Sequence, residues 1–293
     1  MNPTQLSKVI CVCIALFSSE LWAKSFVWQV SHGEQHLYIG GTAHLLPASQ
    51  FPLPAEFDQA YQQAEKLVFE ADISQLAKPS INSMFMSLTL YQDGHTLNSV
   101  LSAESYQHLQ ETAAELGIDI NTLAQYKPDF VLIQMMQRKL TQLGIAGEGV
   151  DDYFFNKATQ DGKSKDFLET IEQHLVMVFS ISDGVENEWV AWQLNLLDDA
   201  EQYMQRALTA WRSGNREALA EMVSEMLDTE IGHLEYQRLL SERNKGWVDQ
   251  IDTMLQTPEI EFVLVGAMHL AGPENVLDLL AERGYQVRQL SVD

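Results

Sequence analysis

Two stretches at opposite ends of the chain share one pattern. Leu37-Tyr38-Ile39-Gly40-Gly41-Thr42-Ala43-His44-Leu45 and Val263-Leu264-Val265-Gly266-Ala267-Met268-His269-Leu270 each run from apolar residues through a glycine to a histidine three places on, then a leucine. In an open α/β sheet, ligands sit beyond the carboxyl ends of the strands. Glycine there lets the backbone turn and come close to a ligand, and a histidine shortly after can aim a neutral imidazole nitrogen at a divalent metal. With 16 glycines and 8 histidines in 293 residues, chance alone gives about 0.4 Gly-x-x-His spacings. A third copy, Gly33-Glu34-Gln35-His36, precedes its strand, so context rather than spacing marks Gly41 with His44 and Gly266 with His269. Two such histidines need a carboxylate or two to complete a site with an open position. Glu70, closing the apolar run 67–71, is the first candidate, with Asp72 two residues on. A lone histidine at a strand end is more often a hydrogen-bonded core residue, and a lone glutamate there a salt-bridge partner; the paired context is what favours function. His32, His95, His108, His174 and His233 lack that context and read as surface or helix-packing residues.

Elements that would position these residues are visible at both ends. Runs 25–30 and 35–40, separated by the turn residues 31–34, predict a hairpin. Segment 55–66 places Phe57, Ala60, Tyr61 and Ala64 at helical spacing. Residues 67–71 and 165–169 read as short strands, and 261–266 as a strand covered on both faces. A helix from Pro273 to Arg283, stopped by Gly284, precedes a last strand over 285–292. Between them lie helical patterns at 103–116, 129–143, 151–160, 188–212, 215–228 (opened by Asn215 as a cap) and 233–256. No low-complexity linker interrupts them. The expectation is a single domain, 24–293, of α/β (or α+β) class: a central mixed sheet of strands from near both ends, flanked by helices, with a large helical insertion in the middle.

Eighteen Lys and Arg against 41 Asp and Glu give a net charge of −23, which argues against nucleic acid or an anionic lipid surface as partner. A hydrophobic content of 46% with 20% charged residues fits a chain with a sizeable core. Residues 1–23 carry Lys8, an apolar run from Val9 to Phe17 and a small residue, Ala23, at a cleavage point, the signature of a secretory signal peptide. Leu21 is bulkier than the residue usually found three places before the cut. Cys11 and Cys13 both lie in this segment, so residues 24–293 contain no disulfide and no thiolate metal site. No cysteine stands at the cleavage point, which argues against a lipoprotein. The expectation is an exported protein, periplasmic or secreted, without stable membrane insertion after cleavage, since no later stretch reaches eighteen uninterrupted apolar residues.

Further along, Val68-Phe69-Glu70-Ala71-Asp72, Gly149-Val150-Asp151, Arg243-Asn244 followed by Trp247, and Gly284-Tyr285-Gln286-Val287 appear in order between and after the two histidine motifs. This set resembles the TraB/GumN family, which includes the animal Tiki proteins, over about residues 26–290. The resemblance implies a metal-dependent hydrolase-like fold centred on His44, His269 and Glu70. Tiki proteins are described as manganese- or cobalt-dependent proteases that trim the amino-terminal part of a secreted signalling protein. A peptide or small secreted protein is therefore the implied substrate, and Mn²⁺ or Co²⁺ the implied cofactor, with Zn²⁺ an alternative. Carried over by position, Arg243 is a charged partner, because a guanidinium can hold a carboxylate or an oxyanion; a structural ion pair is the competing reading. Asn244 stands beside it, and Trp247 shares its helix face. Glu148 and Asp151 are further candidate ligands, with helix capping the stronger reading of Asp151, and Glu169 has similar standing to Glu148. There is no HExxH pattern of the helical zinc proteases. The chemistry expected is attack of a metal-activated water on an amide carbonyl, with Glu70 ligating or taking the proton and Arg243 steadying the oxyanion. Bacterial members are linked to binding or quenching secreted peptides, so the rival expectation is a non-catalytic protein that sequesters a peptide or a metal-bearing ligand. A third is a scaffold whose histidines merely pack.

Overall fold

The computed structural model describes residues 24–291. The expected signal segment, with both cysteines, lies outside the described residues. Six strands form one mixed sheet: β1 (Lys24–His32), β2 (Gln35–Thr42), β3 (Lys66–Phe69), β4 (Ser164–Phe167), β5 (Glu261–Gly266) and β6 (Gln286–Ser291), in the order β4-β3-β5-β2-β1-β6. β1 and β2 make the expected antiparallel hairpin, turning at Gly33 with φ 63°. That left-handed conformation is one glycine adopts without steric cost. β2, β5, β3 and β4 are mutually parallel neighbours, so their carboxyl ends share one edge of the sheet.

The sheet is α/β in class, built from strands near both ends of the chain with mostly helical segments between them. All of β5 is buried, as its unbroken apolar run requires of a central strand. Phe262 packs on Phe57 of the helix Ala55–Gln63 and on Phe154 of the helix Val150–Asp161. Trp247, Val248, Ile251, Leu277 and Leu280 join the same core. A second apolar core lies among the middle helices, around Leu109, Val131, Met135, Val190 and Leu194.

Several expectations shift in detail. The pattern at 188–212 divides into Glu186–Asp198 and Ala200–Arg212, broken at Asp199. The last helix is Val276–Glu282 and excludes Pro273; the Asn275 side chain caps it by accepting from the Asp278 N–H. Asn215 caps its helix as expected, accepting from the Ala218 N–H. The pattern at 233–256 is Glu230–Tyr236, a π-helical turn Gln237–Ser241 in which the Glu242 N–H donates to the Gln237 carbonyl, and then Glu242–Met254. Single π turns inside helices recur at functional sites, and this one immediately precedes Arg243. Among the described residues, no helix is long and apolar enough to cross a membrane.

Candidate active site

The parallel register sets Thr42, the last residue of β2, beside Gly266, the last of β5, and Phe69 of β3 beside both Leu264 and Phe167. The chain leaving those strands brings Glu70, Glu169, His44 and His269 to the same edge. The Glu169 N–H donates to the Glu70 carbonyl at 2.9 Å, extending the β3–β4 ladder beyond its formal end. The first Gly-x-x-His turn is clamped from two sides. Trp211 Nε1 donates to the Gly41 carbonyl at 2.7 Å, and the Val150 N–H to the Ala43 carbonyl at 3.0 Å. A Cβ on Gly149 would fall 2.4 Å from the His44 carbonyl oxygen, so only glycine lets the two backbones approach this closely.

Gly266 is the meeting point. Its N–H donates to Glu70 Oε1 at 2.7 Å. A Cβ there would lie 3.4 Å from Glu70 Oε1, 3.4 Å from His44 Nε2 and 3.5 Å from His269 Cδ2. Two imidazoles some 225 positions apart therefore do converge beside a carboxylate, across the small gap that the missing side chain leaves.

Arg243 organises the buried half of the site. Its Nη2 donates to Glu70 Oε2 at 2.5 Å and to Glu169 Oε1 at 2.7 Å, its Nε to Glu169 Oε2 at 3.1 Å, and its Nη1 to the Leu239 carbonyl at 3.0 Å and to His269 Nε2 at 3.1 Å. Its plane stacks over Trp247, 4.4 Å from the ring centre. A guanidinium has five N–H donors, and all five are engaged here. The oxyanion role expected for Arg243 therefore has no donor left; the residue binds the two carboxylates instead. Its pKa is pulled down by burial and raised on balance by Glu70 and Glu169.

His269 is buried and rests on Trp247. The Asn244 Nδ2 donates to the Glu274 carbonyl, which orients the amide so that its Oδ1 accepts from His269 Nδ1 at 2.6 Å. The other nitrogen, Nε2, then accepts from Arg243. Burial drives the His269 pKa down to about 3, with Glu70 opposing and Arg243 reinforcing it, so the ring is neutral at pH 7. Burial would raise the Glu70 pKa, but Arg243 first, then His269, His44 and the Gly266 N–H, hold it well below the usual carboxylate range. His44 differs: its side chain is 63% exposed, and its Nδ1 lies 3.2 Å from Asp151 Oδ1. Desolvation pulls its pKa down while Asp151 and then Glu70 push it up, and the net direction is upward. Asp151 is thus a partner of the histidine rather than a side-chain cap of its helix, whose cap residue is Gly149.

Sequence reasoning missed His174. It stands on the helix Ile171–Val178, whose N-cap Thr170 follows Glu169 directly, and its Nδ1 lies 2.7 Å from Glu169 Oε1. Among the described residues, Glu70, Glu169 and His174 are the group whose ligand atoms all lie within 4.8 Å of one another. Ligands on opposite sides of one ion at 2.0–2.3 Å are about 4–4.6 Å apart, so this set fits a divalent cation. His269 is tied to both Asn244 and Arg243, while Glu148 is held by the Asn156 amide at 3.1 Å, apart from this group. Only the Glu169–His174 spacing, five residues across a helix start, could have signalled the set. Thr42 Oγ1 is buried without a hydrogen-bond partner among the described residues and lines both pockets that open here, one of about 500 Å³ and one of about 170 Å³.

An α/β sheet whose carboxyl edge gathers two carboxylates, three histidines and a buried arginine beside a pocket defines the class of protein. The model of the TraB/PrgY/gumN family matches residues 26–289, and the chain belongs to this family. It is 28% identical over 261 residues to the uncharacterized protein YbaP of Escherichia coli (strain K12), covering 85% of this chain and 89% of that protein, and equally to YbaP of Shigella flexneri. An uncharacterized protein of Treponema pallidum (strain Nichols) is 22% identical over 274 residues, 87% of this chain and 80% of that one. No solved structure matches the chain.

Proposed function

We propose that the protein is an exported, metal-dependent hydrolase of amide bonds, acting on a peptide or small secreted protein. The observation that carries this reading is the convergence of Glu70 and His44 at the gap above Gly266, with Glu169 and His174 clustered on Glu70, beside a pocket of about 500 Å³. Glu70, Glu169 and His174 would hold the ion. Two carboxylates and one imidazole suit Mn²⁺ and Co²⁺, and Zn²⁺ as well. A divalent ion there supplies a Lewis acid and a lowered pKa for bound water. Glu70 is a ligand rather than a base, because Arg243 and the Gly266 N–H keep its carboxylate ionised and a poor proton acceptor. Proton transfer falls to His44: Asp151 holds its Nδ1 and favours the charged ring, leaving Nε2 facing the gap to give a proton to the departing amine, a proton that the attacking water then replaces. Arg243 and the His269–Asn244 pair hold Glu70 and Glu169 in place.

The test incubates the purified protein with Mn²⁺, Co²⁺ or Zn²⁺ and a peptide library, with products read by mass spectrometry. Cleavage is expected to vanish on chelation and in Glu70→Gln and His174→Ala, and to fall about 10²–10⁴-fold in His44→Ala, the range for a lost general acid. Cleavage that survives chelation and Glu70→Gln refutes the proposal; stoichiometric binding without product assigns the chain to the sequestering class.

A further inference from the structure

The pocket of about 500 Å³ has an uneven distribution of chemistry. Its charged and imidazole groups, Glu70, Arg243, His44, His174 and His269, belong to the centre described above. Away from them the wall is formed by Met177, Val178, Met204, Leu208, Leu239 and Met268, all half-buried. Most of these sit on helices: Ile171–Val178, Ala200–Arg212 and the π turn Gln237–Ser241. Backbone N–H and C=O groups inside a helix are spent on one another, so these walls offer almost no hydrogen-bond partners beyond the side chains of Thr42 and Tyr203. A peptide main chain threaded into this space would leave its amides unpaired, at a cost of roughly 1–3 kcal/mol each. A hydrocarbon chain carries no such penalty. At about 30 Å³ for each water-sized group, the volume admits up to roughly sixteen methylene-sized groups, more than a single amino-acid side chain supplies.

We infer that the substrate is a peptide or small protein bearing an N-acyl group, whose unbranched acyl chain, of medium length, fills this pocket and whose amide carbonyl stops between Glu70, His174 and His44. The inference rests on the hydrolase reading and narrows it. In the reaction a water oxygen forms the new C–O bond to the acyl carbon and the C–N bond breaks. The acyl group leaves as a carboxylic acid, and the nitrogen takes a proton released from water, so that acid and amine together account for every atom of amide and water. The flexible thioethers of Met177, Met204 and Met268 suit a chain of variable bend.

The experiment uses the full chain with Mn²⁺ and a series of fluorogenic N-acyl aminocoumarins from two to sixteen carbons. Hydrolysis, as kcat/KM, is expected to rise up to about four-fold per added methylene, the factor for burying one, and to level off when the pocket is full. Met204→Trp and Leu239→Trp, which narrow the wall, are expected to move the optimum to shorter chains. A second readout, displacement of a dansylated undecanoic acid without added metal, reports the pocket alone. Metal-dependent hydrolysis with no chain-length dependence, or a preference for apolar peptides over acyl amides, overturns the acyl inference and leaves the hydrolase reading intact. Probe binding that tightens with chain length and is lost in both Trp variants, with no amide hydrolysed, supports the pocket assignment and refutes the hydrolase. Absence of both binding and hydrolysis overturns the inference outright.

Discussion

Replacing Arg243 by methionine tests the central electrostatic claim. The guanidinium side chain is 11% exposed and those of Glu70 and Glu169 are 10% and 9% exposed. The two carboxylate oxygens that share Nη2, at 2.5 and 2.7 Å, are no more than 5.2 Å apart. Methionine keeps most of the volume and the contact with Trp247 but leaves two buried carboxylates facing each other. Breaking a buried pair by removing one partner costs about 3–5 kcal/mol, which in a domain of this size lowers Tm by roughly 6–20 °C. Adding Glu169→Gln removes one of the opposed charges, so the double variant is expected to be more stable than the sum of the two single losses predicts, by about 0.5–3 kcal/mol. Thermal unfolding followed by circular dichroism at pH 7 on the four proteins of the cycle measures this. A loss below about 1 kcal/mol in Arg243→Met, or strict additivity to within about 0.5 kcal/mol, would refute the picture of a desolvated, mutually dependent triad.

Two other positions make separate predictions. Gly266→Ala puts a methyl group 3.4 Å from both Glu70 Oε1 and His44 Nε2 at a residue with an ordinary φ of −51°. Stability is expected to change by less than about 1 kcal/mol while hydrolysis and Mn²⁺ affinity, by calorimetry, fall at least about 10-fold; unchanged affinity would mean that the gap above Gly266 is not used. Glu261 opens β5, is 3% exposed and has its Oε2 unpartnered among the described residues; burial first, then Glu259, raise its pKa from 4.5 to about 7. A folded-state pKa raised on an acid means that the folded chain holds the proton longer, so stability is highest below about 4.5 and declines as pH rises through 7. Glu261→Gln, an isostere of the protonated acid, is expected to abolish that decline and to gain up to about 3 kcal/mol over the parent at pH 8. Identical stability–pH slopes in urea titrations of the two proteins would contradict it.

β1, β2, β3 and β5 were legible as short apolar runs bounded by turn residues, β6 by its alternation and β4 only from Phe167 and Leu168 between charges, and β5 is so apolar that its central place could be read directly. The two Gly-x-x-His motifs were legible because strand-end glycine and histidine recur in matching context. Arg243 was visible as a candidate but its role was not: whether a guanidinium has donors to spare depends on how many partners tertiary packing brings to it, and here Glu70, Glu169, His269 and the Leu239 carbonyl use all five. His174 was invisible for a related reason. It follows no glycine and ends no strand, and it reaches the site only because β4 pairs parallel to β3 and the next helix starts at once, at Thr170. Local patterns report elements, whereas a ligand set reports which elements end at the same edge.

That edge also bears on how many ions the proposed centre would take. Glu70 and Glu169 carry two negative charges, Arg243 carries one positive, and His269 is held neutral, so the buried cluster has one net negative charge. One dication at Glu70, Glu169 and His174 changes that to one net positive charge, which a water-derived hydroxide or a substrate carboxylate can balance. A second dication would leave three positive charges in a space where desolvated charge is costly. Arg243 thus already supplies a positive charge to the two carboxylates, and calorimetry should find one Mn²⁺ per chain; a stoichiometry of two would mean that Arg243 leaves its carboxylates when metal binds.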